Sequence, residues 1–405
     1  MSDTLPERRS LPMERAAGCP FDPPAEVTEL RESEPVCPIS MADGSDGWLF
    51  TRYEDIRTVL GDYARFSSRS ELRTSATGHK AANRRPVAPG VLNAMDPPEH
   101  TRLRRKLGGK FNTRRMAQLT GRIVEIVEGR LDEMERLEPP VDLYQVFALP
   151  VPVMVICELL GVPFEDREKF HALGSELLSV GVTEERFQAA RKSLSDFVGE
   201  LAAKKRAHPT DDLLSELAAD EDLTLQEVAA MGMVLLIAGH ETTASMLALG
   251  TFALLENPEQ VDLLRADPHR IDNAVEELLR YLTIVPYGVE RAAAEDTEFG
   301  GRLIRKGDGI VAALMTGNRD PEKFADPDSL DITRSTTAHL AFGFGVHQCV
   351  GQQLARVELR VAFPALLNRF PSLRLAAPAD TIGLRVQSIT LGPTSVPVTW
   401  DTPAG

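Results

Sequence analysis

Cysteine is scarce in this chain: four residues among 405, Cys19, Cys37, Cys157 and Cys349. They are too few and too scattered for a disulfide framework or a cysteine-rich zinc site, and they fit a reducing compartment. Positive charge is short as well. Lys and Arg number 45 against 60 Asp and Glu, a formal net charge of −15, which argues against nucleic-acid or anionic-membrane partners. No apolar stretch in the first 25 residues is long enough for a signal peptide or membrane anchor, so a cytoplasmic location is expected. Glycine/serine linkers, low-complexity blocks and internal repeats are also missing. The expectation is an irregular lead-in over 1–25 and a single domain over 26–405.

What is present is apolar and periodic. Hydrophobic residues make up 43% of the chain, enough to bury a large core without staples. Residues 46–60 predict a strand and a short helix, and residues 67–95 a long loop. From 98 to 282 apolar residues recur at three- and four-residue spacing, the pattern of helices. Thr224–Glu256 is the longest such segment and is apolar nearly all round its middle, which predicts a helix through the core. Residues 283–315 and 374–400 hold short β-like runs bounded by turn residues. The sum is a mainly α protein with small β-sheets (α+β).

The segment AHLAFGFGVHQCVGQQLARVEL places Cys349 at the end of a glycine-rich turn, directly before a helical pattern. A thiolate there meets free N–H groups and the positive end of the helix dipole, both of which lower its pKa. Gly343, Gly345 and Gly351 permit unusual dihedrals and a close backbone approach to a flat cofactor. Phe342 is placed to shield the sulfur. A lone cysteine is more often plain core, and that reading suits Cys157. For Cys349 the pattern Phe342-x-x-Gly345-x-x-x-Cys349-x-Gly351 decides, because it should arise by chance about once in a thousand such sequences. Here the chain resembles the cytochrome P-450 superfamily, from CPFDPP near the start to PVTW near the end. The likeness is greatest to soluble actinobacterial members that oxidise secondary metabolites and drugs. It implies a triangular, prism-like fold with a long central helix over haem b, and Cys349 as the iron ligand.

Within the long apolar helix stands Ile237-Ala238-Gly239-His240-Glu241-Thr242-Thr243. A mid-helix glycine costs on the order of 1 kcal/mol against alanine, and a carboxylate in an apolar helix costs more unless it is hydrogen-bonded. Expense concentrated at one point marks function. Ala238 and Gly239 leave room beside the helix for a diatomic ligand, and Glu241 and Thr242 can pass protons through water. The plain alternative is a helix-packing glycine with a polar bend. A zinc reading fails because position 244 is Ala where a second His is needed. The resemblance makes Thr242 the alcohol and Glu241 the acid of a proton relay.

Haem carries two propionates that need cationic partners. His100 and Arg104 sit at i and i+4, on one helix face, and by resemblance they and Arg291 and His347 meet those propionates. Glu277, Arg280 and Arg334 match the family's structural ion-pair cluster. By family position Val87, Leu92, Met95, Val180, Leu235, Ile284, Val285, Ile389 and Leu391 surround the open face of the iron, implying a lipophilic substrate. The resemblance further implies O2 as oxidant, with electrons from NAD(P)H through a separate ferredoxin (or flavodoxin) and its reductase. Seven Arg and Lys between 102 and 115 form a local basic excess, read as a docking site for that donor. Two rivals stay open. One is a thiol hydrolase using Cys349 with His347 or His339 as base; the other is a haem protein that binds gas or uses peroxide.

Overall fold

The computed structural model describes residues 8–15, 19–41, 44–69, 71–72, 88–111, 113–166, 172–174, 176–177, 183–288, 290–335, 338–385 and 389–401. Helices dominate. The longest, Leu225–Glu256, begins at Thr224, whose hydroxyl accepts from the Glu227 N–H at 3.2 Å. The Glu227 carboxylate accepts in return from the Thr224 N–H at 2.9 Å, a reciprocal cap that fixes where the helix starts. Among the described residues this helix alone is long and apolar enough to cross a membrane, and most of that stretch is buried. Apolar on all sides, it is a core helix. Helices Glu184–Ala207, Pro150–Leu160 and Gln352–Arg369 pack against it.

A six-stranded sheet runs in the order Arg9–Ser10, Val36–Ser40, Asp46–Phe50, Gly309–Ala312, Glu290–Ala293, Phe66–Ser67. Arg374–Leu375, Pro397–Thr399 and Val141–Asp142 form a three-stranded sheet, and Thr297–Phe299 pairs with Arg302–Ile304. The strand and helix expected over 46–60 are Asp46–Phe50 and Tyr53–Gly61.

Three expectations need correction. The lead-in is not wholly irregular: Arg9–Ser10 pairs in parallel with Ile39 and Ser40, and Leu11 and Phe21 are buried. The helical run from 98 to 282 is broken by the strand Val141–Asp142 and a wide π turn at Tyr144–Ala148. There the Asp142 carboxylate accepts from the N–H groups of Tyr144 and Val396, at 3.0 and 2.8 Å, and so ends one pattern before the next begins. The β-rich stretch 283–315 ends in a helical turn, Leu314–Gly317.

Candidate active site

The loop before Cys349 is shaped by glycine. Gly343 and Gly345 have φ of 70° and 75°. A Cβ on Gly345 would stand 2.5 Å from the Leu60 carbonyl oxygen, so only glycine lets the loop lie on helix Tyr53–Gly61. The close approach at Gly345 is to protein backbone. The Cys349 N–H donates to the Phe342 carbonyl at 2.9 Å. Helix Gln352–Arg369 starts at Gly351 with no side-chain cap, which leaves the Gly351 and Gln352 N–H groups to the Cys349 sulfur.

The surface that Cys349 exposes is the wall of a cavity of about 1500 Å3 open to solvent. Burial pushes the thiol up, and the Gly351 and Gln352 N–H groups with Arg104 and Arg356 offset this only in part. The lowered pKa expected from the helix terminus is therefore overturned for the protein alone: desolvation outweighs the dipole. Phe342 also lines the cavity, with the Arg356 guanidinium 4.6 Å from its ring centroid. Arg356 in turn binds Glu276 at 2.6 Å. Burial favours the neutral form of Glu276, but hydrogen bonds from Arg356 and His339 prevail and hold it at about 2. His339 is thereby turned from Cys349, 3.0 Å from Glu276, and supplies no base for a thiol hydrolase.

Across the cavity runs the central helix. Leu235, Ala238, Gly239, Thr242, Thr243 and Met246 face it. Gly239 also serves packing, since a Cβ there would lie 2.8 Å from Ile156 Cδ1. The Thr242 hydroxyl donates to the Ala238 carbonyl at 2.8 Å, an i−4 bond that bends helices. Glu241 is buried and turned off the cavity: its carboxylate lies 2.6 Å from the Arg385 guanidinium and 3.1 Å from the Tyr144 hydroxyl. Neither partner was visible in the sequence.

Ile284, Val285, Arg291, His347 and Gly351 line the cavity too. The His347 ring lies 4.2 Å from that of His100, tilted by 48°. Ile389 lies beside the lining residue Gly288, where a Cβ would be 3.1 Å from it. Leu92 is packed in the helical core while its neighbour Asn93 reaches the cavity, and Met95 packs on that core. Leu391 lines a small separate pocket with Arg385 and Pro286. Val87 and Val180 lie outside the described residues. Glu358 was missed. It is buried in the cavity wall, one carboxyl oxygen has no hydrogen-bond partner, and burial raises it well above the usual carboxylate range. The signal was an acid on the inward face of an otherwise apolar helix pattern.

These residues fit a flat, doubly anionic iron macrocycle. Both ring nitrogens of the buried His100 lack hydrogen-bond partners among the described residues, and no described carboxylate pairs with Arg104. Burial and the charges of Arg104 and Arg291 push His100 down against Asp96, so a neutral donor and a cation are ready for carboxylates. Away from this site, Glu277 and Arg280 form a bidentate pair at 2.8 Å, and Arg334 reaches Glu277 at 3.1 Å.

A cysteine loop at a helix start, facing an acid–alcohol helix across a largely apolar cavity with a cationic rim, defines a haem-thiolate oxygenase. A family profile described as Cytochrome P450 matches residues 178–380. The chain is 45% identical over 397 residues to cytochrome P450-SU2 of Streptomyces griseolus, covering 98% of each chain. It is 41% identical over 387 residues to a vitamin D3 dihydroxylase of the same species, covering 94% of this chain and 95% of the relative. The crystal structure of CYP105P1 in complex with filipin I superposes with a TM-score of 0.92 at 40% identity, covering 98% and 99%. The chain belongs to the cytochrome P450 family. It has that family's fold and is a haem-dependent monooxygenase supplied with electrons from outside.

Proposed function

We propose that this chain inserts one oxygen atom of O2 into a bulky lipophilic small molecule, by hydroxylation or epoxidation, in the cytoplasm. Residues 26–405 act as one catalytic domain. Cys349 ligates the iron of haem b, and His100, Arg104, Arg291 and His347 meet its propionates. The observation that carries this reading is the Cys349 sulfur opening into a cavity lined also by Arg291 and His347, with the His100 ring, its nitrogens without hydrogen-bond partners, 4.2 Å from that of His347 and the Arg104 charge acting on Cys349. Relatives that dihydroxylate vitamin D3 or bind filipin I support the substrate class. A spectral screen of lipophilic compounds against the haem-loaded protein tests it, because a compound seated in the cavity beside Cys349 would shift the absorption. No shift with any compound would count against a lipophilic ligand.

The bound haem supplies O2 activation and the electron path. The chain supplies the rest. Leu235, Ile284, Val285 and Met246 exclude water and orient an apolar substrate. Thr242 presents its hydroxyl oxygen to a water on the cavity side, and Glu241 takes a proton from the solvent side for that water. Glu241→Gln is expected to slow product formation about a hundredfold. Thr242→Ala should divert electrons to hydrogen peroxide, with product per NAD(P)H down by ~5-fold. Product, NAD(P)H and peroxide measured together check both, and unchanged coupling in both variants would remove the relay.

The basic run is less free than the sequence implied. Arg102 pairs with Glu227 and Lys110 with Glu216, while Lys106 reaches Asp220 and Asp222 at 2.9 and 2.8 Å. Arg105 and Arg114 stay exposed without a described partner, and Arg105 borders a surface groove with Tyr63 and Pro98. That groove is our docking site for an acidic ferredoxin or flavodoxin, itself reduced by a separate reductase. Arg105→Glu should slow first-electron delivery about tenfold at low salt and flatten its salt dependence. Stopped-flow reduction at two ionic strengths decides, and equal rates reject the site. Lys106 reversal is no test, because it also breaks the Asp220 and Asp222 pairs.

A further inference from the structure

A smaller pocket of about 300 Å3, open to solvent at its mouth, shares no lining residue with the cavity at Cys349. Two guanidinium groups line it, Arg15 from the lead-in and Arg385, between walls that include Met13, Tyr287, Met315 and Leu391. Like charges on one concavity repel, and taking them out of water adds to the cost. Burial lowers Arg15 to about 10, so at neutral pH it is still a cation.

Among the described residues Arg15 has no ion pair. Its guanidinium donates to the carbonyls of Pro20 and Asp22 and lies 3.8 Å from the Met315 sulfur, all uncharged partners. The Asp22 carboxylate acts on it only from a distance and stands 3.8 Å from Arg319 instead. Tyr287 is no counter-ion either, since its hydroxyl donates to the Pro12 carbonyl at 2.6 Å and burial pushes it up. Arg385 uses one nitrogen for Glu241 at 2.6 Å and Ser245 at 3.3 Å, while its Nε–H is buried with no partner among the described residues. A cation without an ion pair and an orphaned N–H, set in apolar walls, are the donor set of an anion site.

We propose that this pocket binds one small monovalent anion between Arg15 and Arg385, either a free halide ion or the carboxylate end of a short-chain acid. Its interior has room for about one water-sized body, which admits those and excludes phosphate or sulfate. Met13, Met315 and Leu391 suit a polarisable ion or a short alkyl tail. An anion held there ties the lead-in, through Arg15, to the segment that carries Arg385. In that segment the Arg385 N–H donates to the Gly392 carbonyl at 2.7 Å, and the Leu391 N–H to the Ile284 carbonyl at 2.7 Å. Ile284 lines the cavity at Cys349. A filled site therefore braces one wall of that cavity from behind.

Hydrogen exchange at the Arg385 and Leu391 amides of the haem-loaded protein is the test, with sodium sulfate replaced by bromide, acetate or hexanoate at constant ionic strength. At about ten times its Kd, a bound anion should slow both amides about tenfold, since it must leave before the segment opens. Slowing by bromide alone assigns a free ion, and slowing by hexanoate beyond acetate assigns an acid with an apolar tail. Arg15→Gln should need about tenfold more anion for the same protection, and Arg15→Lys should recover part of that loss. Protection in no salt, or equal protection in Arg15→Gln, overturns the proposal. A wild-type crystal soaked in the protecting anion should show it bonded to both guanidinium groups. An anion bound only elsewhere overturns the proposal even if Arg15→Gln does not fold.

Discussion

Cys349→Ser is expected to abolish the strongly red-shifted Soret band of the reduced, carbon monoxide-treated protein and to cut turnover by ~1000-fold or more. The substitution changes one atom. Serine keeps the backbone, so its N–H still reaches the Phe342 carbonyl, and the N–H groups of Gly351 and Gln352 remain. What is lost is the soft, electron-donating sulfur that favours O–O cleavage. Cys157→Ser is the matched control. Cys157 is buried in helix Pro150–Leu160, away from the cavity lining, so its hydroxyl should cost about 1–3 kcal/mol of stability while the spectrum stays as it was. A red-shifted band surviving in Cys349→Ser would remove the iron ligand from position 349.

The contrast between these two cysteines shows what the sequence could carry. Cys349 is marked by residues within eight positions of it, all in one loop, and Glu241 and Thr242 by neighbours on one helix turn. Local chemistry of that kind is written in order along the chain. The partners that decide how the groups behave are not. Tyr144 comes to Glu241 from 97 positions away, and Arg385 to Ser245 from 140. The basic run shows the reverse error. Read as a string it is a free positive patch, but Lys106, Arg102 and Lys110 meet acids more than 100 positions on. Desolvation is likewise invisible in the string, which is why a cysteine expected to ionise easily is instead held up by burial. The fold class survived such errors because it rests on periodicity summed over long segments, whereas the Tyr144–Ala148 turn is too short to break the apolar pattern around it.

The second large effect is expected far from the cavity, at Glu277. Glu277 and Arg280 are both 0% exposed, and their i,i+3 spacing alone would be worth little on a surface. Burial changes the scale. Removing one member of a buried pair leaves the other charged and unsolvated, at a cost of about 3–5 kcal/mol, against a total stability of roughly 5–15. The loss spreads further here, because Glu277 also accepts from the Asp331 N–H at 3.0 Å and from Arg334 at 3.1 Å. Arg280 meanwhile donates to the carbonyls of Asn318, Pro327 and Ser329. Glu277→Leu should therefore lower the melting temperature by several degrees or more and reduce the yield of folded protein. Arg280→Met should do the same. The pair Glu277→Leu with Arg280→Met should lose less than the two losses added together, by roughly 1–3 kcal/mol, since no charge is then stranded. It will not recover fully, because the Asp331 N–H loses the Glu277 carboxylate and the carbonyls of Asn318 and Pro327 lose Arg280. Thermal melts of the four proteins measure that coupling. Strict additivity would mean that Glu277 and Arg280 act separately, and that the cluster is held by its contacts to the backbone instead.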